Sequence, residues 1–174
     1  MNNLLRANVC GTQAGYTVCF PSTQKIADGT TQVNPYYDFL NKQSVWTYTF
    51  SVASDSKKFE HWQLWICPLL GALGNKADFK IERSDDNGLS WKTIDGFQVK
   101  NTYIEIDESG DPDTFIIFRI TILNPNYYIL AAEAGIIVVE AESDDYTFDT
   151  SYNISTPSIK CNFIPPSSRG VAFL

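Results

Sequence analysis

The sequence predicts an all-β protein: a jelly-roll-like antiparallel β-sandwich of about eight to ten strands, preceded by an extended N-terminal arm. Short segments alternate apolar and polar residues, as strands with one buried face do. Gly, Pro, Asn and Asp cluster between these segments, which recur about every 10 to 14 residues. No segment shows the 3.6-residue period of an amphipathic helix over more than a single turn.

The chain of 174 residues suits one domain, large enough to bury a core without help from a metal ion. Residues 1–15 are rich in Asn, Gly, Thr and Gln without periodicity, and we expect them to form the arm. Residues 16–174 form the predicted sandwich. Within it, a short strand at 16–20 ends at Pro21, and residues 21–44 carry turn signals that predict a long loop with at most one irregular edge segment.

The clearest strand is 45–53, which places Trp46, Tyr48, Phe50 and Val52 on one face. The segment 61–67 also alternates, with His61, Gln63 and Trp65 opposite Trp62, Leu64 and Ile66. The run 114–123 is almost continuously apolar, so we expect both of its faces to be covered. The remaining predicted strands are 78–83, 89–94, 102–107, 135–142, 146–150, 158–164 and 170–174. Residues 130–135 are the one plausible helical turn beyond the loop at 68–75.

The composition excludes several functional classes. There are 13 Lys and Arg against 20 Asp and Glu, and the net charge of −7 disfavours nucleic acid as a partner. No apolar run approaches the ~20 residues needed to cross a bilayer. The chain has one His and no nucleophile motif such as G-x-S-x-G, so we expect no catalytic residues, no cofactor and no enzymatic activity.

One motif is specific. Ser84, Asp86, Gly88 and Trp91 match the pattern S-x-D-x-G-x-x-W, which resembles the Asp box of sialidases and other propellers. The Asp side chain of such a hairpin bonds backbone N–H groups, Gly permits a left-handed residue and Trp packs beneath. A single copy in a chain too short for a six-bladed propeller predicts a structural, self-capped hairpin.

Two other constellations carry weaker signals. Asp107, Asp111 and Asp113 loosely resemble a calcium loop, but no bidentate Glu follows at the expected spacing. We therefore expect a solvated acidic turn and no metal site. His61 follows Glu60, and without a nucleophile the pair predicts a hydrogen-bonded structural His.

The four cysteines, Cys10, Cys19, Cys67 and Cys161, form no CxxC pair. With one imidazole in the chain, a zinc site is disfavoured and disulfides are favoured, although four cysteines allow three pairings. The N-terminal segment has one Arg and no continuous apolar stretch, so we expect no Sec-type signal peptide. The thiols either stay reduced in a cytosol or oxidise after the protein leaves by another route.

These features favour a self-assembling structural subunit that uses its arm and its cysteines to form a homopolymer. The arm LLRANVCGTQAGYTVCF with Cys10 and Cys19, the body cysteines Cys67 and Cys161 and the late β pattern resemble the endospore-appendage (Ena-type) pilus subunits of spore-forming Firmicutes. The resemblance implies a jelly-roll body, intersubunit disulfides for which all four cysteines are candidates, and an extracellular or spore-surface location.

The alternative is a non-catalytic β-sandwich module that binds carbohydrate or another surface ligand, on a phage or a cell. Aromatic side chains are its candidate stacking groups, because each offers a flat apolar face. These are Trp46, Trp62, Trp65, Tyr36, Tyr37, Tyr127 and Tyr128. Burial in the core or in an interface is the competing interpretation for each of them.

Overall fold

A computed structural model describes residues 8–67, 75–128, 130–142 and 150–160. These residues form 14 strands and a three-residue 3-10 helix, Lys76–Asp78. The strands are β1 (Val9–Gln13), β2 (Tyr16–Phe20), β3 (Thr23–Lys25), β4 (Thr31–Val33), β5 (Tyr36–Asp38), β6 (Gln43–Val52), β7 (Phe59–Trp65), β8 (Phe79–Ser84), β9 (Lys92–Ile94), β10 (Phe97–Val99), β11 (Tyr103–Ile106), β12 (Phe115–Ile122), β13 (Ala131–Ala141) and β14 (Thr150–Lys160). No helix in these ranges is long and apolar enough to cross a membrane.

The strands form two antiparallel sheets that share one core, which confirms the predicted all-β sandwich. The seven-stranded sheet has the order β1-β2-β6-β12-β8-β9, and β5 also pairs with β6. The five-stranded sheet has the order β10-β11-β7-β13-β14, and β3 and β4 form a separate ribbon. Several edge strands have only three residues, which is why the structure has more strands than the sequence predicts.

The core follows the alternation of the long strands. Trp46, Tyr48 and Phe50 of β6 are buried as predicted, and Trp62 and Phe118 meet them from the other central strands. The Phe50 ring centroid lies 4.7 Å from that of Trp62 and 5.1 Å from that of Phe118. Edge-to-face and tilted ring pairs of this kind stabilise a core beyond the area they bury. The aromatic cluster therefore joins the two sheets at their centre.

The N-terminal segment differs from the expected arm. Val9–Gln13 is strand β1, which pairs with β2 across a tight turn where Ala14 and Gly15 have φ values of 52° and 81°. At Gly11 the backbone of β1 approaches β14 so closely that a Cβ atom would lie 2.2 Å from the Ser155 carbonyl oxygen. This strand escaped prediction because its side chains are mostly exposed, so no apolar alternation marks it.

Three other expectations change. The loop predicted at 21–44 contains β3, β4 and β5. The helical turn predicted at 130–135 is wrong, because residues 131–135 begin β13 and pair with the end of β14. Residues 158–160 of the strand predicted at 158–164 are the end of β14, which begins at Thr150, and residues 161–164 lie outside the described ranges. Pro157 is tolerated in β14 because it is an edge strand. Most residues of the strands predicted at 146–150 and 170–174 lie outside the described ranges.

Candidate functional site

The outer face of the five-stranded sheet, here called the open face, carries a row of side chains from all five strands. Directly paired positions place them in the order Gln98, Glu105, Gln63, Val138 and Asn153. Neighbouring strands lie about 4.8 Å apart, so the row extends for about 19 Å. Val138 is 7% exposed, so this face is covered at that position, and the amide and carboxylate groups of Gln98, Glu105 and Gln63 form the polar part of the row on one side of it.

Two aromatic residues lie beside this row on the same face. Trp65 of β7 and Tyr103 of β11 are directly paired across the two strands. The Trp65 residue is 41% exposed although it is a large apolar residue, and Tyr103 is half-buried. Ile136 of β13, 37% exposed, has the same orientation as Val138 and extends the apolar area. The open face thus combines an aromatic platform with polar groups on one side of it.

Among the aromatic residues predicted as candidate stacking groups, Trp65 is the one exposed on this face. Trp46 and Trp62 are fully buried in the core, and Tyr128 is 7% exposed. The Tyr37 hydroxyl donates a hydrogen bond to a backbone carbonyl, and Tyr127 packs against the core. Tyr36 lies on the opposite side of the molecule, in a groove described below. Tyr103 was not a candidate, although the alternation of its strand places it on the face opposite Ile104 and Ile106.

His61, Gln63 and Glu140 form a polar cluster on the open face. The His61 Nε2 atom contacts Glu140 Oε2, and the Gln63 amide donates to Glu140 Oε1 at 2.9 Å. The predicted neighbour Glu60 instead pairs with Lys58 at 3.2 Å. Because two side chains of the neighbouring strand β7 hold its carboxylate, Glu140 presents a fixed acceptor group to a ligand on this face.

The Asp-box residues lie at the turn between β8 and β9, away from the open face. Asp86 Oδ1 accepts hydrogen bonds from the backbone N–H of Leu89 at 3.1 Å and of Ser90 at 2.9 Å. The Gly88 N–H donates to Ser84 Oγ at 2.8 Å, and Gly88 has a φ of 83°. Hydrogen bonds, first from the Ser90 hydroxyl, lower the pKa of Asp86 to about 2. The hairpin is therefore capped by its own side chains, and the Trp91 ring lies against the guanidinium of Arg119.

The cysteines in the described residues are all disulfide-bonded. Cys10 and Cys19 occupy directly paired positions of β1 and β2 and are joined by a disulfide. Cys67 is also disulfide-bonded, and Cys161 lies outside the described residues. The two cysteines expected on a free arm are thus placed in a hairpin that is part of the sandwich.

The acidic segment that loosely resembled a calcium loop forms turns. Asp107 donates its backbone N–H to Gly96 O at 2.7 Å, and Asp113 donates its own to Val52 O at 3.0 Å. Within the described ranges, no three His, Cys, Asp or Glu side chains converge as metal ligands, so Asp107, Asp111 and Asp113 form no such group.

No protein-family model and no curated protein matches the chain. Among solved structures, it is similar to a family 123 glycoside hydrolase from Clostridium perfringens, studied for glycolipid glycan hydrolysis, with 12% sequence identity and a TM-score of 0.33. The match covers 78% of this chain and 24% of the hydrolase chain, so the chain spans about a quarter of that protein's length. At this TM-score the likeness supports no inference about fold or function.

Proposed function

We propose that the chain is a non-catalytic binding module whose open face holds a neutral carbohydrate. The observation that carries the proposal is Trp65, 41% exposed and paired across the strands with Tyr103. Exposing a Trp on a sheet face sacrifices burial free energy unless a ligand covers it. The apolar C–H face of a sugar ring packs on an aromatic ring, and its hydroxyls accept and donate hydrogen bonds.

The polar groups beside the aromatics fit such a ligand. Gln63 is two positions from Trp65 on β7, Glu105 is directly paired with Gln63, and Glu140 is directly paired with His61. These three residues supply one amide and two carboxylates. Specific small-molecule sites combine apolar surface with a few polar groups in this way. The two carboxylates and the net charge of −7 disfavour a polyanionic glycan. These groups therefore favour a neutral polysaccharide chain as the ligand.

The structure offers less support for a self-assembling fibre subunit, which stays a prediction. Strand exchange between subunits needs a free arm or a long free edge. In the described residues, β1 is paired with β2, and the edge strands β9 and β10 have three residues each. The eleven-residue edge strand β14 is approached by β1 at Ser155. Residues 1–7 lie outside this description. The disulfide supports an oxidising location such as the cell exterior or a spore surface, as the sequence predicts.

Binding to insoluble neutral polysaccharides, such as cellulose, chitin and xylan, tests the proposal. The wild-type protein should bind at least one of them, and Trp65→Ala should weaken that binding by roughly tenfold or more, as the loss of an aromatic anchor does. Phe115→Ala is the matched control, because Phe115 is 45% exposed on the other sheet. Failure of the wild type to bind any of the three, or equal weakening by both variants, would overturn the proposal.

Self-association of the same protein separates the two functions. Electron microscopy and non-reducing gels of the concentrated wild-type protein should show monomers. A ladder of disulfide-linked species that accompanies filaments would support the fibre subunit instead.

A further inference from the structure

A groove lies on the outer face of the seven-stranded sheet, on the side of the molecule away from the open face. It encloses about 340 Å³, at the lower end of the range for small-molecule pockets. Its floor comes from β6, β8 and β12, and its rim comes from β5 and the segment that follows β3. The polar residues that line it include Tyr36, Asp38, Lys80, Glu82, Arg119 and Thr121.

Arg119 is the unusual residue of the groove because it is 6% exposed and yet charged. Its Nε donates to Glu82 Oε2 at 2.8 Å, and its Cζ atom lies 3.9 Å from the centroid of the Trp91 ring. Glu82 also pairs with Lys80 at 2.8 Å. Burial raises the pKa of Glu82, but the hydrogen bonds from Arg119 and Lys80 outweigh it, so the pKa is lowered and the carboxylate is ionised.

The guanidinium of Arg119 has N–H groups that donate no hydrogen bond to the described residues. Its terminal nitrogens, Nη1 and Nη2, bond no acceptor in the part of the chain that the structure describes. These nitrogens are not fully buried, so an acceptor group of a ligand in the groove can reach them. Glu82 holds the Nε edge of the guanidinium, and Trp91 covers one of its faces. The two terminal nitrogens are thereby held in a fixed geometry that matches the two oxygens of a carboxylate.

The rim restricts the charge of the ligand. Lys80 and Arg119 together outweigh Glu82 by one positive charge at the floor, whereas Asp28 and Asp38 add two negative charges at the rim. A ligand with one negative charge at the floor satisfies this arrangement, and a second negative charge would meet the rim carboxylates. Tyr36, Thr121 and the rim carboxylates are suitable partners for ligand hydroxyls.

We propose that this groove binds a small hydroxylated monocarboxylate of the sugar-acid class, with its carboxylate on the terminal nitrogens of Arg119. The site does not depend on the open face, because the two lie on opposite sheets. The volume of the groove fits a single sugar ring with its acid group.

Titration calorimetry with sodium D-glucuronate and with D-glucose tests the site, because these two probes share a ring and differ at the carboxylate. The wild-type protein should bind glucuronate at least tenfold more tightly than glucose. Arg119→Lys keeps the charge but removes the fork, and it should weaken glucuronate binding by roughly tenfold or more. Trp65→Ala is the matched control and should leave glucuronate binding unchanged.

A second variant keeps the test decisive if Arg119→Lys fails to fold. The Lys80 side chain is 47% exposed, so Lys80→Gln should keep the fold, checked by its melting temperature, and weaken glucuronate binding several-fold. The proposal is overturned if the wild type binds glucose and glucuronate equally, or binds no glucuronate at millimolar concentrations. Unchanged glucuronate affinity in both groove variants would also overturn it. Each of these results leaves the open-face proposal standing.

Discussion

Replacing both cysteines of the N-terminal hairpin is the sharpest test of how this domain is held together. Cys10 and Cys19 are nine positions apart in sequence and bonded to each other. In the chain-entropy description, closing a loop of about ten residues stabilises the folded state by about 2.7 kcal/mol. Cys10 is exposed and Cys19 half-buried, so serine at both positions removes the cross-link and leaves little buried surface changed.

The effect should be visible in the melting temperature. The side chains of β1 are mostly exposed, so apolar burial does little to hold this strand once the cross-link is gone. For a domain of this size, 1 kcal/mol corresponds to about 2–4 °C, so the double variant should melt roughly 5–10 °C below the wild type. The measurement is thermal unfolding by circular dichroism without reductant, which leaves the disulfide of Cys67 intact.

The control is Thr12→Ala with Thr17→Ala. These two hydroxyls lie 2.9 Å apart in the same hairpin, at directly paired and exposed positions, and form no cross-link. The control should lose less than about 1 kcal/mol. A cysteine variant that melts with the wild type refutes the reasoning, because β1 would then lie outside the cooperative unit. If the wild type shows a ladder of disulfide-linked species on a non-reducing gel and the cysteine variant does not, these cysteines form bonds between subunits instead.

Three further substitutions test other parts of the fold. Asp86→Ala should lower the melting temperature at neutral pH. Folding lowers the pKa of Asp86 from 3.8 to about 2, so the ionised side chain stabilises the fold above pH 3.8. This stabilisation is lost as the pH falls through about 2, where the melting temperatures of the wild type and the variant should become equal. Gly11→Ala should cost about 1–3 kcal/mol and weaken hydrogen-exchange protection of β1, since its Cβ would meet the Ser155 carbonyl. Asn34→Ala should cost about 1–3 kcal/mol in urea unfolding, because buried Asn34 donates to the carbonyls of Pro21 and Thr47. If one of these variants unfolds at the same midpoint as the wild type, the contact that it removes or disturbs does not stabilise the fold.

The long central strands were predictable because their two faces lie in different environments, the core and the outer surface, and the alternation of apolar and polar residues follows from this difference. The residues that the alternation of 45–53 and of 61–67 grouped on one face, such as Tyr48 with Phe50 and Trp62 with Leu64, are in the core. Short edge strands such as β1 and β10 carry no such signal, since their exposed positions accept polar side chains. The helical turn predicted at 130–135 failed for another reason. Its Ala-rich sequence has helical propensity, but hydrogen bonds from β14 decide the conformation.

The candidate sites were predictable only in part. Alternation placed Trp65 on the face opposite Trp62 and Leu64, but it could not say which of the two faces is covered in the folded chain. The almost continuous apolar run of β12 predicted covering on both sides. The outer side is covered at Arg119 and Thr121, 6% and 8% exposed, but not at Phe115, which is 45% exposed. The groove itself was not predictable, because Lys80, Arg119 and Tyr36 meet only through the pairing of distant strands.

The segment between β2 and β6 explains why the two outer faces differ. Gln24 and Asn34 are buried against the outer side of β6, where the Thr47 hydroxyl donates to Gln24 at 2.6 Å and the Thr47 N–H donates to Asn34 at 3.1 Å. This network holds the segment over the seven-stranded sheet and builds the rim of the groove, whereas Trp65 on the five-stranded sheet stays exposed. The two proposed ligands should therefore bind at the same time. Saturating glucuronate should leave polysaccharide binding unchanged, and competition between them would place both ligands at one site.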